Sequence, residues 1–363
     1  MLSDRLVIFI CNQKQVNSPK TTTILIGFKE MKRQTEEFIS QLQTIIEDEF
    51  FSLVGDNPYE VIAWEVEEKG DFSVENFLVA NQGLIRFKTE VFLNHIRQTQ
   101  SENTLKKYQN LILLLENNLS EFMIYGYRLL ELPNFLLEDF LIVNNWFGDV
   151  GIPMLIGLSQ GGEWIGLGIK QEQKYISPPA KMSFQELEIA SESTAKLVEE
   201  IKKIVANIDH HTEAESELDI SNYFEGVIAL NRHEVMEKLL IATKFLNISK
   251  IENFLQGEIS SEEKEIEDIE EEIGEIEEEL KEETKPEIIE EKQEELQAAK
   301  EELAELKIKG GLGLKSFFDS QVNNSQVYNF DFLMEGEYST IHIALGKTET
   351  GDAIGVATYT FTL

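Results

Sequence analysis

Apolar positions spaced three and four apart predict a helix over about Met31–Asp48, with Phe38, Leu42, Ile45 and Ile46 on one face. Upstream, residues 1–28 are irregular apart from a strand-like Thr22–Phe28. Gly55-Asp56-Asn57-Pro58 breaks the helical pattern as a turn. Tyr59–Val66, rich in β-branched and aromatic residues, then predicts a strand. A second helix is predicted near Leu105–Leu119, where Leu111, Leu115 and Leu119 recur every fourth position. A hairpin follows, from Met154–Leu158 through a turn at Ser159-Gln160-Gly161-Gly162 into Trp164–Ile169. Ser177-Pro178-Pro179 punctuates the chain and marks a boundary between two domains. Beyond it the pattern predicts an amphipathic helix over Phe184–Ile208, a strand at Tyr223–Leu230 and a helical stretch over roughly Glu234–Gln256. The chain ends in a hairpin, Ser339–Gly346, a turn at Thr348–Gly351, and Ala353–Leu363. Helices mixed with strands of period two place the chain in the α/β (α+β) class.

One segment follows a different rule. Ile266, Ile269, Ile273, Ile276 and Leu280 alternate spacings of three and four, the heptad seam of a coiled coil. Lys285-Pro286 stops that arm, because proline cannot continue the hydrogen-bond ladder. The seam resumes through Ile289, Leu296, Ala299, Leu303 and Leu306, with Lys292 in a seam position, until Gly310-Gly311. Each arm alone is a marginal helix in water, so an antiparallel coiled-coil hairpin is predicted at 261–307.

Internal comparison points to two copies of one unit. Gly157…Gly162…Ile165-Gly166 aligns without gaps on Gly346…Gly351…Ile354-Gly355, with Glu163 opposite Asp352. Tyr59-Glu60-Val61-Ile62-Ala63 resembles Phe224-Glu225-Gly226-Val227-Ile228-Ala229 with one insertion. Convergence of tight turns on glycine is the competing explanation for the first match.

Charge narrows the range of partners. The 363 residues hold 67 acids against 32 bases, a formal net charge of −35. Phosphate backbones attract the opposite sign, so direct nucleic-acid binding is disfavoured and basic protein surfaces are favoured. Residues 261–307 contain 22 acids and 6 bases, so −16 of that charge belongs to the hairpin. No apolar run approaches the ~20 residues needed to cross a bilayer, so no membrane partner is expected. The apolar run Leu6–Ile10 is too brief for a signal-peptide core, and Cys11 is the only cysteine. A cytoplasmic protein without disulfides or cysteine-ligated metal is expected.

Catalytic motifs are missing. There is no phosphate loop, dinucleotide fingerprint, H-E-x-x-H or nucleophile elbow. Asp209-His210-His211 is the one metal-like arrangement, but adjacent histidines lack the spacing that brings two rings onto one ion. His342 lies on the strand face opposite Ile341 and Ile343 and is expected to be exposed. Glu60 and Glu65 show no acid/base partner. Neither enzyme chemistry, a cofactor nor a metal is expected. The carboxyl-terminal strand, with Thr358, Thr360 and Thr362 on one face, runs to a terminal carboxylate suited to a partner's metal ion or arginines.

Several stretches resemble the inhibitors of sugar-nonspecific nucleases, the nuclease A inhibitor-like family. They are Asn57–Glu65, Lys107-Tyr108-Gln109-Asn110-Leu111 into Leu119, Gln326-Val327-Tyr328, and the closing hairpin with its glycine spacing. The resemblance implies α/β/α sandwich units, at 29–175 and 181–363, that plug a nuclease with a basic active-site cleft. The hairpin at 261–307 interrupts the second unit. It also implies contacts from a glutamate ahead of the first strand and from a terminal threonine. Those positions fall on Val54, with Asp56 the nearest acid, and on Leu363, preceded by Thr362. Asp56, Glu60, Thr362 and Leu363 are therefore the expected partner-binding residues. The alternative expectation is a scaffold whose acidic hairpin makes the protein interaction.

Overall fold

The computed structural model describes residues 22–47, 49–51, 57–128, 151–171, 182–184, 191–206, 208, 220–334 and 337–362. The first half comprises α1 (Thr22–Ile45), β1 (Phe50–Phe51), β2 (Asn57–Pro58), β3 (Glu60–Trp64), α2 (Val66–Lys69), α3 (Val74–Ala80) and β4 (Leu84–Phe87). It continues with α4 (Thr89–Thr99), α5 (Glu102–Asn118), β5 (Leu119–Tyr127), β6 (Ile152–Ser159) and β7 (Trp164–Gln171). The second half comprises β8 (Met182–Phe184), α6 (Glu192–Val205), β9 (Ile220–Ala229), α7 (Arg232–Ala242), β10 (Leu246–Ser249) and α8 (Ile251–Glu282). Then come α9 (Pro286–Leu306), α10 (Gly310–Ser320), β11 (Asn323–Met334), β12 (Glu337–Lys347) and β13 (Ala353–Thr362). The class is mixed α/β.

Three sequence expectations change. Thr22–Phe28 is helical, because α1 propagates back from the amphipathic turns around Phe38 and Leu42 at one hydrogen bond per residue. The stretch Glu234–Gln256 is split by β10, since Lys244 adopts a positive φ of 63° and ends α7 with Phe245 N–H donating to Leu240 O at 2.9 Å. The helix expected from Phe184 begins at Glu192, where the Ser191 hydroxyl accepts from Thr194 N–H, while Phe184 itself lies in β8.

In each large sheet four strands consecutive along the sheet are followed by a crossover strand, and the first sheet carries β8 in addition. The first runs β4-β5-β6-β7-β9-β8 and the second β10-β11-β12-β13-β3. All pairings are antiparallel except β8 with β9. Each sheet takes a strand from the other half of the sequence: β9 pairs with β7, and β3 from the amino-terminal side pairs with β13. The chain thereby closes on itself, with its early strand zipped to its last.

Helices cover both faces of each sheet. In the first, Tyr108 of α5 meets Phe224 of β9 on one face. On the other face, Gly166 and Gly168 leave room for Val235, Leu239 and Thr243 of α7. In the second, Phe77 of α3 stacks on Phe330 of β11. The far face lies under α1, the start of α8, and α10, where Phe38 meets Phe317 edge-on. α3 and α7 pack on each other, and one continuous apolar core spans both sheets.

Candidate partner-binding end of the second sheet

The pairing of β3 with β13 joins the strand that holds Glu60 to the strand that ends at Thr362. The register Glu60↔Ala357 through Trp64↔Ala353 runs the two strands in opposite directions. The start of β3 and the last residues of β13 therefore point to the same end of the sheet. Thr358 Oγ1 donates to Pro58 O at 3.1 Å, fastening β2, just ahead of β3, to β13. Of the four expected partner-binding residues, Glu60 sits half-buried opposite Ala357, and Thr362 closes β13 opposite Tyr338. Asp56, Leu363 and the Thr362 side chain lie outside the described residues, as do Val54 and Asp209-His210-His211.

A polar row crosses the outer face of the sheet beside this end. His342 bonds Asn329 Oδ1 through Nδ1 at 2.7 Å and Thr360 Oγ1 through Nε2 at 3.0 Å. The Phe254 ring of α8 lies against the imidazole, centroids 5.7 Å apart. Thr340 donates to Asp331 Oδ1 at 2.7 Å. His342 is thus largely buried, not exposed: alternation placed it correctly away from Ile341 and Ile343, but that face is covered by α8. Burial pushes its pKa down to about 4, so the ring is neutral near pH 7. Burial likewise pushes the Asp331 carboxyl up, opposed by the Thr340 hydrogen bond.

Two carboxylates hold the closing helices to the sheets. In the turn between β6 and β7, Gly162 has φ 91° and Ser159 N–H donates to Glu163 O at 2.8 Å. The turn between β12 and β13 repeats this with Gly351 at φ 93° and Thr348 N–H donating to Asp352 O at 2.8 Å. The Glu163 carboxylate accepts from Ser191 (2.9 Å) and Thr194 (2.8 Å) at the start of α6. The Asp352 carboxylate accepts from Thr35 of α1 (2.7 Å) and from Val66 N–H (2.9 Å). Burial opposes ionisation of Glu163, but the Thr194, Ser191, backbone and Ser159 hydrogen bonds outweigh it and lower its pKa.

Sequence reasoning missed one cluster. Glu75 of α3 is 1% exposed and accepts two hydrogen bonds from Arg232 Nε, at 2.8 and 3.1 Å, and a further one from Nη2. Tyr125 OH donates to the same carboxylate at 2.9 Å. His233 Nδ1 lies 3.1 Å from Glu75 and 3.2 Å from Ser73 Oγ. This is not a nucleophile relay, because serine and carboxylate meet the same ring nitrogen and Ser73 caps α3. The cluster pins α3 to α7. Glu75 and Arg232 are 157 residues apart in sequence, and no local pattern announces the pair.

Among the described residues, no three His, Cys, Asp or Glu side chains are placed to hold a metal ion, and no helix is long and apolar enough to cross a membrane. No protein-family model, curated protein or solved structure matches the chain.

Proposed function

We propose that the protein is a non-enzymatic binding module of the nuclease-inhibitor type, which blocks a basic partner protein with the end of the second sheet. The observation that carries this reading is the β3–β13 register, which sets the start of β3, with Pro58 just ahead of it, beside the last strand at one end of the second sheet. Sites built on strands hold their geometry better than sites on loops. The net charge of −35 supports a basic cleft as the complementary surface.

The same proposal includes descent of the two sheets from one duplicated unit. Its supports are the run of four consecutive strands and a crossover strand in each sheet, the matching hairpin turns, and the matching ends of α3 and α7, where Gln82 and Lys244 have φ of 59° and 63°. In this reading each copy lends its opening helix and strand, α1–β3 or α6–β9, to the other copy's sheet.

The test is a titration of a bacterial metal-dependent, sugar-nonspecific nuclease with the full chain. Suppression complete near one equivalent, and lost on removal of Phe361–Leu363, is the expected result. Unchanged nuclease activity at a large excess of protein would refute the inhibitor reading.

A further inference from the structure

The second sheet contains an element that its own closure does not need. In the first sheet, α4 follows β4 and passes to α5 through Gln100-Ser101 alone. In the second, α8 follows β10 in the same way, after Lys250 where α4 follows Lys88. α8 then runs on for 32 residues, α9 returns beside it, and only then does α10 take the place of α5. Ion pairs of Lys300 with Glu277 and Lys307 with Glu270, and a third of Lys292 with Glu279, fix the two arms antiparallel. At its base the pair is tied down: Glu262 accepts from Gly311 N–H (2.6 Å) and Leu312 N–H (2.8 Å), and Tyr59 OH donates to Glu258 at 2.5 Å.

The apolar seam between the arms is unevenly covered. Ile269, Ile276 and Ala299 are buried. Ile266, Ile273 and Leu280, spaced by seven, stay half-buried, as do Leu296 and Leu303 on the returning arm. Residues seven apart share a helix face, so these form one continuous open row. A pair of helices leaves part of its seam facing solvent, and a third helix can cover that part. The flanks decide what kind. With 22 acids and 6 bases in 261–307, a second copy of the hairpin would meet like charge, whereas a helix with basic flanks meets opposite charge.

We infer that the open row of the α8–α9 arms receives an amphipathic helix with basic flanks from a partner protein, completing a three-helix bundle. This surface is separate from the sheet end proposed above and stands independently of the inhibitor reading. The probe is a 21-residue peptide with leucine at heptad a and d positions and lysine on its flanks, alongside a counterpart with glutamate flanks. Binding to the full chain is measured by fluorescence anisotropy, and hairpin helicity by circular dichroism. Ile273→Ala with Leu303→Ala keeps every charge and favours helix. A second variant replaces 262–309 by Gln-Ser, the first sheet's own link. The lysine peptide should bind the full chain, lose about tenfold in affinity to the double-alanine variant, and not bind the shortened chain; the glutamate peptide should not bind. Equal affinity for the double-alanine variant would overturn the inference, since charge alone would then suffice. So would absence of binding, equal binding to the shortened chain, or sedimentation showing a dimer that the alanines abolish.

Discussion

At the scale of single residues, burial sets the chemistry more than sequence neighbours do. His342 is held neutral between Asn329 and Thr360, with a pKa near 4 against an ordinary value of 6.5. Between those values the unfolded chain binds a proton that the folded chain does not, so this contribution to stability is full above pH 6.5 and fades as pH falls toward 4. The loss amounts to up to about 3 kcal/mol. Urea unfolding from pH 7.5 to 4.5 should show that slope in the native chain, and His342→Gln should flatten it. Glu75 presents the opposite case, a buried charge held by a partner. Arg232→Ala leaves that carboxylate without its cation; because Arg232 is 38% exposed, the expected loss is about 2–3 kcal/mol, below the range for fully buried pairs. An unchanged urea midpoint would show that Tyr125 and His233 hold Glu75 unaided.

At the scale of elements, the turn carboxylates act as latches on the segments that close each sheet. Asp352→Ala removes the acceptor for Thr35 and Val66 N–H, so amide exchange should quicken across 33–66 while 192–205 keeps its protection. Glu163→Ala should do the reverse, loosening α6 through Ser191 and Thr194. Equal loosening of both segments in either variant would mean that the two closures are not separable. Replacing 262–309 by Gln-Ser should leave one cooperative urea transition, at a midpoint lowered by loss of the Glu262 bonds to Gly311 and Leu312.

Which elements could be read from sequence follows the same logic. Strongly periodic segments such as α1 around Phe38 and Leu42, and hairpins punctuated by glycine at positive φ, announce themselves locally. β5 and β11 did not: β5 follows α5 directly at Leu119 with no turn residues between them, and β11 opens on the polar run Asn323-Asn324-Ser325-Gln326, which carries no strand pattern. The division of α7 from α8 rests on Lys244 in a left-handed conformation, which a lysine does not advertise. The exposure expected for His342 failed because one-strand alternation says which face a residue occupies, not what covers it.

At the scale of the whole molecule, the decisive relation is long-range. Glu60 meets Ala357 almost three hundred residues away, and that pairing both closes the second sheet and assembles the proposed binding end. Sequence named Glu60, Asp56, Thr362 and Leu363 through resemblance, while the strand register shows that β3, which holds Glu60, and β13, which ends at Thr362, are neighbours in one sheet. In the proposed complex the net charge of −35 would steer the chain toward a basic partner, an effect that weakens as salt rises. The account is tested most directly by calorimetric titration of a sugar-nonspecific bacterial nuclease with the full chain and with the chain lacking Phe361–Leu363. It predicts one-to-one binding with loss of nuclease activity for the full chain, and neither for the shortened one. Equal binding by both chains, or none by either, would contradict it.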